Sequence, residues 1–83
     1  MGVITMSITV FAKPHCAQCD ATKRQFNKLG VEYDVVDLTQ DAQALESFRA
    51  AGYRQAPVVV AGEDTWTGFR PDMIKKVAEL INA

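Results

Sequence analysis

The chain predicts an α/β fold of order β-α-β-α-β-β-α, with a four-stranded mixed sheet flanked by helices. Three observations carry this expectation. First, β-rich runs at 7–11, 33–38 and 57–61 are separated by stretches whose apolar residues recur at helical spacing. Second, Gly30 and Gly52 stand where the first two helical stretches end, the place a helix C-terminus favours glycine. Third, only Gly62-Glu63 separates the run ending at Ala61 from Asp64-Thr65-Trp66-Thr67, so the last two strands are predicted to form a hairpin.

Taken in order, Ser7-Ile8-Thr9-Val10-Phe11 alternates and is β-rich, and it runs into Lys13-Pro14, where proline cannot continue a ladder. A first helix is predicted from Cys16 to Leu29, with Cys19, Phe26 and Leu29 on its apolar face. Tyr33–Leu38 is the second strand. The second helix covers Asp41 to Ala51 and buries Leu45 and Phe48, with Thr39 or Asp41 as its N-cap. Pro57–Ala61 is wholly apolar and so belongs inside the sheet, covered on both faces. Pro71 suits the first turn of the last helix, whose stripe is Met73, Ile74, Val77, Leu80 and Ile81. The first β-α-β unit must cross over right-handed, which makes strands one and two parallel neighbours.

With 83 residues the chain is expected to form one domain over 1–83, with residues 1–6 read as a leader or as the segment before an alternative start at Met6. A net charge of -1 announces no basic face, so nucleic-acid binding is not expected. No apolar run approaches the roughly 20 residues that span a bilayer. The N-terminus has no basic start, and Thr5, Ser7 and Thr9 interrupt its apolar stretch, unlike a signal peptide. A cytoplasmic protein is therefore expected, in a compartment where structural disulfides are rare.

Both cysteines lie in Lys13-Pro14-His15-Cys16-Ala17-Gln18-Cys19-Asp20. A structural zinc site wants four ligands, and here two cysteines stand with a single histidine adjacent to one of them. No bound metal or cofactor is expected. A purely structural disulfide across so short a loop would contribute only roughly 2 kcal/mol. Redox exchange fits the position better. Cys16 is predicted at a helix N-terminus, where unpaired N–H groups and the helix dipole favour a thiolate, the attacking species. Cys19, one turn on, is within reach of it and less exposed. Cys16 is then the nucleophile and Cys19 the thiol that resolves the mixed disulfide, cycling through a Cys16–Cys19 disulfide.

Pro57 opens a buried strand, an unusual place for proline that a cis Ala56-Pro57 bond explains. Such a turn would expose the backbone of Ala56 beside the cysteines, ready to pair with an extended substrate segment.

The element order, the C-A-Q-C pair and the proline before the third strand resemble glutaredoxins and the thioredoxin fold. Three motifs are more specific. Lys13–Cys19 is similar to the K-P-x-C-x-Q-C of NrdH-redoxins, Gln55–Val60 to their Q-A-P-V-V-V, and Trp66–Asp72 to their W-S-G-F-R-P-D with threonine for serine. The resemblance implies a thiol-disulfide oxidoreductase that takes electrons from NADPH through thioredoxin reductase. It also implies delivery to the large subunit of a class Ib ribonucleotide reductase. A monomer is expected. Carried onto this sequence, Ala56 and Pro57 form the substrate-facing turn, and Trp66, Thr67, Gly68, Phe69 and Arg70 form the loop that distinguishes the family. Lys13, His15, Ala17 and Gln18 complete the expected partner-binding surface.

Each of these residues also has a plainer reading. Trp66 is edge packing or an apolar contact, and Phe69 is core or an exposed anchor. Arg70 ties a nearby carboxylate or helix-capping carbonyls, Lys13 either steadies the thiolate or is solvated, and His15 is an exposed turn residue. Gly68-Phe69-Arg70-Pro71-Asp72 puts a ring and a proline where glutathione-using relatives hold the tripeptide, so a poor glutathione cradle is expected. Two alternatives stay open here: an iron–sulfur carrier, dimeric through Cys16, and a glutathione-dependent oxidoreductase.

Overall fold

In the computed structural model, which describes residues 7–81, the elements follow in the expected order. They are β1 (Ile8–Ala12), α1 (Ala17–Lys28), β2 (Asp34–Asp37), α2 (Ala42–Ala50), β3 (Val58–Ala61), β4 (Asp64–Thr67) and α3 (Pro71–Ile81). The candidate start at Met6 lies outside the described residues. The sheet order is β2-β1-β3-β4, with β1 parallel to β2 and antiparallel to β3, and β3 antiparallel to β4. The mixed sheet thus centres on β1, the strand that feeds the cysteine segment.

Alternation along β1 sorts its side chains onto two faces. Ile8, Val10 and Ala12 point into the larger core with Val59, Ala61 and Trp66, under α1 and α3. There Phe26, Ile74 and Val77 are fully buried. A ring such as Phe26 contributes roughly 2–3 kcal/mol on leaving water. Phe11 and Val58 face the other way, towards a smaller cluster with Leu38 and Phe48. Among the described elements, α2 alone covers that face. Leu45 is therefore half-buried, as is Val60, and the full coverage expected of β3 is met on one face only.

Both predicted glycine stops are used. Gly30 N–H donates to Asn27 and Val31 N–H to Phe26; Gly52 N–H donates to Arg49 and Tyr53 N–H to Phe48. These paired bonds need a left-handed residue, and Gly30 (φ 70°) and Gly52 (φ 89°) supply it without a Cβ penalty. Asp41, not Thr39, caps α2, its carboxylate accepting from Ala44 N–H at 2.9 Å. Thr39 instead donates its N–H and its hydroxyl to Asp37.

Two expectations fail at the ends of elements. Leu80 belongs to no core stripe: it is exposed, and Ala78 takes its place beside Ile74 and Val77. At 3.6 residues per turn Ile74, Val77 and Ala78 share one face, and Leu80 falls more than a quarter-turn away from it. β2 lacks the expected Tyr33 and Leu38 at its ends: Tyr33 sets its ring against Phe26, with 5.4 Å between centroids, and donates its hydroxyl to Asn27 at 3.1 Å, while Leu38 packs with Phe48.

Candidate redox site

β1 ends at Ala12, and Lys13-Pro14-His15 carries the chain over to α1. His15 makes the reversal with φ 57°, a left-handed value uncommon outside glycine, and its side chain is exposed as expected. Cys16 follows as the N-cap of α1, so the helix proper starts one residue later than predicted. Its extended backbone aims Sγ back at the first turn, where it accepts the Cys19 N–H at 3.1 Å. A disulfide joins Cys16 to Cys19, with 5.2 Å between their Cα atoms. Cys19 is 0 % exposed and Cys16 9 %, so only Cys16 offers an approaching sulfur any access.

Across from Cys16 lies the turn before β3. The Ala56-Pro57 bond is cis, and the Ala56 carbonyl oxygen is 3.8 Å from Cys16 Sγ. Pro57 is buried and Ala56 half-buried. The loop after β4 is tied to the same turn, because Gly68 N–H donates to the Pro57 carbonyl at 2.9 Å. Gly68 has φ 78°, and a Cβ there would meet the side-chain oxygen of Gln18 at 3.3 Å. Segments at 16–19, 56–57 and 67–70 thus converge on one surface, although they are distant in sequence.

Within that surface the residues divide. Thr67, Phe69 and Arg70 are exposed, as are Lys13, Ala17 and Gln18. Phe69, at 38 %, is the large apolar side chain the loop offers to solvent. Trp66 does not share this role. It is 5 % exposed and packs in the larger core, opposite Val59 in the ladder, so its reading as an apolar contact for a partner is corrected. The period-two pleat places it on the covered side, and its indole N–H has no partner among the described residues. Arg70 makes the predicted local tie, a two-bond pair to Asp72 at 2.9 and 3.2 Å. That pairing holds the Asp72 carboxyl below its usual value and the Arg70 guanidinium above its own. No group of three or more potential metal ligands gathers among the described residues.

The chain matches the glutaredoxin family over residues 8–66. It is 46% identical over 72 residues to the glutaredoxin-like protein NrdH of Salmonella typhimurium, covering 87% of this chain and 89% of that protein. The chain belongs to the NrdH glutaredoxin-like proteins. Its structure superposes on the NrdH-redoxin of Escherichia coli with a TM-score of 0.82 and 43% identity, over 84% of this chain and 92% of that one. That protein has a thioredoxin-like activity profile. The gene 56 protein of Mycobacterium phage D29 is 36% identical over 84 residues, matching 99% of this chain and 90% of its own. This redoxin is a dithiol carrier of thiol-disulfide redox activity, working through its Cys16–Cys19 pair.

Sequence reasoning did not single out Arg49 and Arg54. With Lys13 they line a groove beside Ala56. No spacing announces this, since Lys13 lies far in sequence from Arg49 and Arg54, which stand at and just past the end of α2.

Proposed function

We propose that this redoxin takes electrons from NADPH through a thioredoxin reductase and passes them to the large subunit of a class Ib ribonucleotide reductase, as a cytoplasmic monomer. The observation that carries the chemistry is Cys16 at the N-cap, with the Cys19 N–H directed at its sulfur and the Ala56 carbonyl across from it. Once the pair is reduced, that N–H and the helix N-terminus favour a thiolate on Cys16.

The thiolate attacks one sulfur of a partner disulfide. The partner's S–S bond breaks, and its other sulfur leaves as a thiolate. Cys19 then gives up its proton to solvent, attacks Cys16 Sγ and expels the first partner sulfur. Two electrons have passed to the partner, and the Cys16–Cys19 disulfide has formed. The greater access of Cys16 supports this order of roles. An extended partner segment pairs with the backbone of Ala56 at the Pro57 turn. Gln18, Thr67, Gly68, Phe69 and Arg70 frame its approach, and Trp66 supports that loop from beneath.

The test is reduction of the oxidised protein by NADPH with thioredoxin reductase, against glutathione with its own reductase. Turnover in the first system and little in the second is expected; the reverse would overturn the reading. Phe69→Ala should lower turnover with thioredoxin reductase about tenfold if the ring is an anchor. Its thermal unfolding should stay close to the parent, since the ring is exposed. Unchanged kinetics would remove Phe69 from partner choice.

A further inference from the structure

Asp20 stands in the first turn of α1, one residue past Cys19, and its N–H donates to the Cys16 carbonyl at 3.1 Å. That bond sets it one helical turn from Cys16. Helix side chains lean toward the N-terminus, so the Asp20 carboxylate tilts to the end of α1 where Cys16 lies. A carboxylate there has two opposed effects. It favours the helix start, and it disfavours a second negative charge on Cys16. Lys23 answers that charge: its Nζ lies 3.6 Å from Asp20 Oδ1, three residues on along the same helix. The Lys23 side chain is 34 % exposed and that of Asp20 61 %, so the lysine stem is largely covered while the carboxylate stands in water. The Lys23 turn is also held, because its carbonyl accepts the Tyr33 hydroxyl at 3.3 Å. Asp37 at the end of β2, whose carboxyl the Thr39 bonds hold low, feels the same ammonium. One cation thus answers two carboxylates. The other charged groups around the redox end are engaged elsewhere or stand apart from Asp20. Lys13 and His15 precede Cys16 in the chain, and Arg49 and Arg54 line the groove beside Ala56. Arg70 and Asp72, after β4, are tied to each other. Among the described residues Lys23 is the cation paired with Asp20.

We propose that Lys23 is a positioning residue for the redox reaction: by holding the Asp20 carboxylate to itself, it keeps that charge from opposing the Cys16 thiolate. The proposal rests on Cys16 as the attacking sulfur, as read above, and names what sets its readiness. The bonds made and broken stay those already described. A better stabilised thiolate is present at lower pH, but the dithiol that carries it is a weaker reductant. Asp20 therefore favours reducing power, and Lys23 favours a ready nucleophile. The two lie on the α1 side of the redox pair, away from the Ala56 turn where a partner segment is to pair, so they act on the sulfur and not on partner choice.

The experiment follows alkylation of the reduced full chain by iodoacetamide, an uncharged reagent, as a function of pH at low salt. Peptide mapping by mass identifies the cysteine that is labelled, and the midpoint of the rate profile reports where its thiolate forms. Lys23→Met should move the midpoint up by about half a pH unit, and Asp20→Asn should move it down by a similar amount. Lys23→Arg keeps the charge and should keep the parent midpoint. With Asp20→Asn already in place, adding Lys23→Met should shift the midpoint by less than about half of what it does alone. In about 1 M salt, where the screening length is about 3 Å, the midpoints should draw together. Thermal unfolding of each variant should stay near the parent, because the pair is at the surface. A common midpoint for all variants would overturn the proposal. So would a full-sized Lys23→Met shift in the Asp20→Asn background, which would mean that the lysine does not act through Asp20. If the fast label falls on Cys19 in the parent, the reading of Cys16 as the attacking sulfur fails, an outcome distinct from Cys16 labelling with an unmoved midpoint.

Discussion

Helices α1 and α2 begin with the same geometry on different atoms. Cys16 has φ -120° and ψ 104°, and Asp41 has φ -127° and ψ 94°. Each side chain accepts the N–H of the residue three further on, at 3.1 Å for sulfur and 2.9 Å for carboxylate oxygen. At Asp41 the bond satisfies one of the N–H groups that a helix start leaves unpaired, and its role ends there. At Cys16 the same N–H faces an atom that must alternate between a disulfide and a nucleophile. A neutral sulfur is a weak acceptor, whereas a thiolate is a strong one. The cap that is merely adequate in the oxidised protein thus becomes favourable on reduction. Helix initiation and redox chemistry use one device, and the atom placed in it decides which is served.

The largest test of this comparison exchanges the atom. Cys16→Ser keeps a good cap, so thermal unfolding of the reduced protein should move little, while disulfide reduction should vanish in a stopped-flow assay with a protein disulfide. Cys19→Ser keeps the attacking sulfur, so a mixed disulfide should accumulate and be visible by mass. Wild-type turnover by the Cys19 variant would show that the two roles are misassigned.

At the other helix the effects should reverse. Asp41→Ala should cost about 1 kcal/mol in denaturant unfolding and leave the rate of disulfide exchange as it was. A change in that rate would mean that α2 is coupled to the redox pair through the groove between them.

The smallest effect concerns Asp37, a carboxylate that also accepts a backbone N–H but begins no helix. Its bonds from Thr39 hold its carboxyl below the usual value. A lowered folded value gives stability that is present above the unfolded aspartate value, near about 3.9, and is lost as the pH falls through the folded one. Thr39→Val removes the hydroxyl bond, so the drop in melting temperature between neutral and acid solution should shrink slightly. An unchanged drop would show that the backbone bond alone sets this carboxyl.

Much of this was legible in the sequence because it is local. Gly30, Gly52 and the Gly62-Glu63 turn mark ends that backbone geometry requires whatever the rest of the chain does. The apolar run at Val58–Ala61 identifies an inner strand, and Pro57 before it, with the cysteine spacing, locates the redox site. What stayed hidden depends on distant packing. Trp66 looks equally suited to a contact or a core, and only the pleat of β4 under α3 decides. Leu80 fits the stripe of α3 by its apolar character, yet it lies off the face that Ile74, Val77 and Ala78 bury. Thr39 and Asp41 are both good caps, and Asp37 settles the choice by engaging Thr39. That Arg49 and Arg54 line a groove with Lys13 has no local sign, because α2 and the segment at 13 meet only in the fold.

The turn that faces the redox pair is 40 residues away along the chain, Cys16 to Ala56. β3, which fixes that turn, joins the sheet only through β1 and β4, and the contacts that seat it are long-range. In a chain still being synthesised, the Cys16–Cys19 segment emerges well before its facing turn exists. Contacts of such separation form late, since loop closure must come before any of them stabilises the chain. A nascent or truncated product therefore carries the dithiol without the Ala56 turn that faces Cys16 in the folded protein.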